Sequence, residues 1–125
     1  MKNKYETIIM CIVIFVFLIP IMIVGLILYR IYLKPTDIST NINQVNGYKI
    51  VFKQIGETGW PFGPTKVKVV LLNNKNRKIK SFSDYIANDG KTVDEYNIAV
   101  RWFDDRVNII LIGEEQKNKT YELKY

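Results

Sequence analysis

A chain of 125 residues with no histidine and one cysteine, Cys11, lacks the side chains for Ser–His or Cys–His nucleophilic catalysis and for zinc sites built from His or Cys. It also carries neither a Gly-Lys-Ser/Thr phosphate loop nor a G-x-G-x-x-G turn, so nucleotide chemistry has no support. Its 18 Lys and Arg against 12 Asp and Glu give a net charge of +6, which directs attention to anionic partners.

Residues 8–29 are apolar throughout, between Lys2, Lys4 and Glu6 on one side and Arg30 on the other. As a helix this run spans roughly 33 Å at about 1.5 Å per residue, enough to cross a hydrocarbon core of about 30 Å. It is longer than a secretory h-region, and its exit, Leu28 to Leu33, offers no small residue for a signal peptidase. Cys11 sits near the start of the run, where no lipoprotein cleavage site would place it. The expectation is a retained anchor over residues 8–32 after a short tail, 1–7. Pro20 predicts a kink near Val16–Pro20, and Tyr5, Tyr29 and Tyr32 suit the two membrane interfaces. Lys2 and Lys4 balance Arg30 and Lys34, so flanking charge does not orient the span. A short N-terminal tail before a first hydrophobic segment favours a cytoplasmic N-terminus and an extracytoplasmic C-terminal domain.

Residues 33–46 read as a linker or a weak first strand, and residues 47–125 as one small β-rich domain. Apolar residues alternate at Tyr48, Ile50 and Phe52, and again at Val67, Val69 and Leu71. Ile98, Val100 and Trp102 run into a turn at Asp104 and Asp105, and Val107, Ile109 and Leu111 run back, which predicts a hairpin. Residues 78–86 form a further strand, with a short helical turn at 84–87 as the alternative. Asn88, Asp89 and Gly90 mark a turn, and residues 120–125 close the domain. The predicted fold is a single N-terminal transmembrane helix plus an all-β domain, a small antiparallel sandwich or partly open barrel of about six strands.

Two carboxylate doublets, Asp104–Asp105 and Glu114–Glu115, are the residues from which acid–base or calcium chemistry could be built. Turns select aspartate for backbone reasons alone, so the expectation is a non-enzymatic chain with no catalytic residue, metal or cofactor. The loop Gly59-Trp60-Pro61-Phe62-Gly63-Pro64 holds two large aromatics between glycines and prolines. Trp60 and Phe62 are either a recognition tip or a plug closing one end of the domain.

Charge is uneven. Residues 38–83 contain eight Lys and Arg against one acid, Glu57, whereas residues 84–125 contain six against nine. Lys66 and Lys68, two apart on one strand face, together with Lys75, Arg77, Lys78 and Lys80, are the candidate basic patch for anionic headgroups or an anionic envelope polymer. The alternative is a solvated set of lysines protecting an exposed strand from aggregation. No nucleic-acid-binding module surrounds the patch, so nucleic acid is not an expected partner.

The segment 59–64 before a strand, with Asn88-Asp89-Gly90, Val100-Arg101-Trp102-Phe103-Asp104-Asp105 and Gly113-Glu114-Glu115-Gln116, resembles small uncharacterised membrane-anchored or lipoprotein-like β-domain proteins of low-GC Gram-positive bacteria. That resemblance covers residues 47–125. It implies a bacterial cell-envelope location and a single β-domain, and carries over no functional residue. The functional expectation is a single-pass protein of the cell membrane whose outer domain binds a protein partner or an anionic surface. An immunity or inhibitor protein held in the membrane is the first alternative, and a carboxylate-dependent enzyme the second.

Overall fold

The computed structural model describes residues 3–59 and 63–125. Helix α1 spans Lys4–Tyr32 and runs through Pro20 without a break in its span. It is apolar on all sides and buries none of its residues against the rest of the chain. A helix of this kind in a soluble core would hide one stripe of side chains. By length and composition α1 is able to cross a membrane.

The remainder is an all-β domain of two antiparallel sheets that do not close into a barrel. The first holds β1 (Pro35–Ile42), β2 (Lys49–Ile55), β3 (Thr65–Leu72) and β4 (Lys78–Ile86) in chain order. The second holds β5 (Ile98–Trp102), β6 (Arg106–Leu111) and β7 (Lys119–Lys124), also in chain order. A 3-10 turn at Glu95–Asn97 lies on the crossover between them. The described residues thus form seven strands rather than about six. The additional strand is β1, inside the segment 33–46 read above as a linker or weak strand. The alternative of a helical turn at 84–87 gives way to β4, which continues to Ile86.

The alternating residues build the core. Ile50, Phe52, Val67, Val69, Leu71, Ile86, Val107, Ile109 and Leu111 are almost wholly buried between the sheets, joined by Val93 from the crossover. The predicted hairpin forms in register, with Ile98 opposite Leu111 and Trp102 opposite Val107. Loop chemistry follows composition. Asn73 Oδ1 accepts from the amides of Lys75 and Arg77 in the β3–β4 turn. The crossover is pinned by Asn97, which donates to Ile112 O at 2.8 Å and to Asn88 Oδ1 at 3.2 Å.

The two seams between the sheets differ. At the β4–β7 seam, Asp84 accepts from the Tyr121 hydroxyl, from Lys119 Nζ at 3.2 Å and from its neighbour Tyr85 N at 2.7 Å. Phe82 stacks on Tyr121 with ring centroids 4.1 Å apart. At the β1–β5 seam, the hydrogen bond between the strands is Trp102 Nε1 to Asn41 Oδ1, 2.6 Å, at one end. Partial burial works against the Asp84 charge, but the bonds from Tyr121, Tyr85 N and Lys119 outweigh it and hold the carboxyl below the ordinary aspartate range. The Asp84 hydrogen bond, burial and the carboxylate charge together raise the Tyr121 hydroxyl.

The end of α1 is seated in the domain. Leu33 N and Lys34 N both return to Tyr29 O at 2.9 Å, while Glu57 N donates to Ile31 O at 2.7 Å and Gly56 N to Lys34 O at 2.9 Å. Gly56 has φ +71°, and a Cβ there would overlap the Ile31 carbonyl oxygen. Arg30 lies 3.6 Å from Glu57.

Two predictions follow from these contacts. Gly56→Ala must relax both a left-handed backbone and a clash with Ile31, at a cost of about 1–3 kcal/mol. Hydrogen exchange on the full chain in detergent micelles should show faster exchange at residues 56 and 57 and little change in β5–β7; unchanged exchange at 56 and 57 would mean the seat does not form. For Asp84, a depressed folded pKa gives stability that is complete above the unfolded value, about 3.9, and is lost as pH falls through the folded value. Thermal melts should therefore show an acid limb in the wild type that Asp84→Asn flattens, with a loss of about 1–2 kcal/mol at neutral pH. Parallel acid limbs in the two proteins would refute the clamp.

Candidate functional site

Cross-strand partners share a face of a sheet, so the register assigns every candidate lysine. On the first sheet Phe52, Val69 and Phe82 occupy one row of the core face. The next row points outward: Asp37 opposite Lys53, Lys53 opposite Lys68, and Lys68 opposite Ser83. A further outward row holds Pro35, Ile55, Lys66 and Tyr85, and another holds Thr40, Val51, Val70 and Ser81.

Lys66 and Lys68 therefore do share the outer face, as alternation requires. They are not joined to the other four predicted residues. Lys75 and Arg77 sit in the β3–β4 turn, Lys78 follows it opposite Leu72, and Val70 and Leu72 intervene before Lys68. Lys80 stands opposite Leu71, in a core-face row, although its own side chain is exposed at the margin. The six residues are thus spread out: Lys66 and Lys68 on the sheet face, Lys78 at the far end of that face opposite Leu72, Lys75 and Arg77 in the hairpin turn, and Lys80 at the margin of a core-face row. Trp60 and Phe62 lie outside the described residues. Of their loop, Gly59 and Gly63 form a close neck in which Gly63 N donates to Gly59 O at 2.8 Å.

Two lysines of the outer face were not among the candidates, Lys53 and, opposite Leu72, Lys49. Lys53 completes the pair with Lys68, and its position in the β2 alternation was legible although its cross-strand partner was not. Lys53 Nζ is 3.0 Å from Asp37 Oδ1. Among the described residues Lys68 has no ion-pair partner. Like charges directly opposite each other in a sheet are unfavourable, and here one carboxylate faces two ammonium groups.

The same face is unexpectedly apolar. Outer faces of sandwich sheets usually alternate to polar residues, yet Val51, Ile55, Val70 and Leu72 all lie here, and Val70 is only 8% exposed. With Leu33 just past α1 and Pro35 and Asp37 from β1, they and the two lysines line a trough of about 560 Å³. A second cleft, about 300 Å³, opens at the β1–β5 seam between Ser39, Thr40 and Asn41 on one side and Ile98 and Val100 on the other, with Tyr96 at its rim.

The two carboxylate doublets are held apart. Asp104 and Asp105 precede β6, whereas Glu114 and Glu115 follow it, so the six residues Arg106–Leu111 stand between them. That is roughly 20 Å of strand, too far for a shared acid–base or calcium site. Asp105 is 3.1 Å from Arg106, and Glu114 is 2.7 Å from Lys91. Among the described residues no group of three or more His, Cys, Asp or Glu is placed to hold a metal ion.

No family model matches the chain, and no curated protein and no solved structure is significantly similar to it.

Proposed function

We propose that the chain is kept whole as a single-pass protein of the cell membrane, and that its β-domain is a non-enzymatic binding module on the extracytoplasmic side. The observation that carries this reading is the seat at the end of α1. The last carbonyls of a helix need partners from outside it, and here Ile31 O in the last turn takes the amide of Glu57, while Lys34 O, just past the helix, takes that of Gly56. Gly56 has no room for a side chain because the Ile31 carbonyl stands beside it. A domain cut from the helix beyond Ile31 would leave the Glu57 amide open and remove the carbonyl that crowds Gly56. The binding surface on this reading is the outer face of the first sheet, where Lys66, Lys68 and Lys53 are presented beside an apolar trough.

A second reading is a membrane-held immunity or inhibitor protein, and it draws on the cleft at the β1–β5 seam. Both strands there are sheet edges, and an extended segment of another protein can add to such an edge through backbone hydrogen bonds. Tyr96 is 79% exposed at the rim of that cleft. If Tyr96→Ser keeps the fold but loses a protein that co-purifies with the wild type from membranes, the inhibitor reading displaces the first.

The retained, outward-facing arrangement is tested on intact cells. With Cys11 changed to Ala and Lys75, exposed in the β3–β4 turn, changed to Cys, a membrane-impermeant maleimide should label the chain before lysis. The membrane-bound protein should have the full-length mass. Labelling only after lysis would reverse the orientation, and a mass lacking the helix would end the anchor reading.

A further inference from the structure

We propose that the trough on the outer face of the first sheet, between Leu33 and the opposed pair Lys53 and Lys68, holds the phosphate headgroup of an anionic lipid from the membrane that α1 spans. The inference rests on the retained-anchor reading and names the partner of the surface assigned above.

Charge selects the ligand. Lys53 and Lys68 are directly opposite each other, with Asp37 the carboxylate that joins their row. Asp37 already compensates Lys53, so a phosphodiester oxygen beside the row would supply the counter-charge that Lys68 lacks among the described residues. Shape and polarity select it too. Val51, Ile55, Val70 and Leu72 line the trough around the lysines, and Leu33 and Pro35 carry that lining to the last turn of α1. A ligand with an anionic head and an apolar continuation toward the bilayer fits this arrangement, whereas a polyanion with no apolar part would leave the trough wet.

Reach agrees. The Asp37–Lys53–Lys68 row lies two residues along the strand from the row of Pro35 and Ile55, or about 7 Å. The headgroup layer on each side of a bilayer is about 5–8 Å deep. The hairpin group begins at Lys78, opposite Leu72 and six residues past Lys66 on β3, which is roughly 20 Å along the strand, and Lys75 and Arg77 lie in the turn beyond. It meets the trough only at the far end, at Leu72, away from the helix.

The test uses the full chain in zwitterionic detergent, with retained phosphatidylglycerol and phosphatidylcholine counted by native mass spectrometry. One phosphatidylglycerol should be retained in preference to phosphatidylcholine. Lys53→Gln and Lys68→Gln should each weaken that preference about fivefold, as expected for about one lysine at an anionic surface. Lys78→Gln should leave it unchanged, and Lys68→Arg should preserve it with the fold. Equal retention of the two lipids would overturn the proposal, as would equal effects of Lys78→Gln and Lys68→Gln. Full displacement by equimolar soluble glycerol phosphate would make this a free-anion site and overturn it as well. The same spectra report the chain mass: a chain lacking the helix overturns the anchor reading and this one together, while an intact chain without lipid preference overturns this one alone.

Discussion

The arrangement of this protein depends on two backbone hydrogen bonds. A helix ends with carbonyl groups that have no partner in the next turn; in α1 the amide of Glu57 completes that of Ile31, and the amide of Gly56 takes Lys34 O in the connection that follows. Arg30 in the last turn complements the negative end of the helix dipole and meets Glu57. The closeness of the two backbones makes glycine obligatory at position 56, where a left-handed φ and a steric limit coincide. Only Leu33 and Lys34 separate α1 from β1, so helix and sheet are joined by a short connection and a second, noncovalent one.

Once the first sheet is fixed at its β2–β3 end, the second sheet has one firm seam and one loose seam. The β4–β7 side combines a charge-assisted cluster at Asp84 with an aromatic stack, and charge-assisted bonds are the stronger kind. The β1–β5 side has a hydrogen bond from Trp102 at one end and a cleft along the rest. β1 also carries a bulge between Asp37 and Ser39, a common device for keeping an edge strand from pairing with another chain.

Much of the fold was legible in the residues, because period-two alternation is a local signal. Ile50, Phe52, Val67, Val69, Leu71, Val107, Ile109 and Leu111 were all assigned a face by their spacing, and all are buried. β1 was read as a linker or weak strand for a physical reason. It is a bulged edge with mostly exposed side chains, so nothing obliges its sequence to alternate. The basic surface was half legible. That Lys66 and Lys68 share a face follows from their spacing, but the partner of Lys68 is Lys53, fifteen positions earlier, and register across a hairpin is not contained in either strand alone. Lys75, Arg77 and Lys78 are close to Lys68 in sequence but removed from it by the second half of β3: Lys78 stands opposite Leu72 at its end, and Lys75 and Arg77 lie in the turn beyond.

With α1 in a bilayer, the seat also limits what the domain can meet. A module on a flexible stalk samples a volume set by linker length, and its effective concentration toward any one surface falls as that volume grows. Here the connection is two residues long and is closed by Gly56 and Glu57, so the domain keeps one height and one attitude relative to the helix exit. Freezing that attitude removes most of the entropy loss that docking onto a nearby surface would otherwise incur. On the binding role proposed above, a site of two lysines beside an apolar trough gains from a ligand held in the same membrane, and the seat and the outer face favour the same class of ligand.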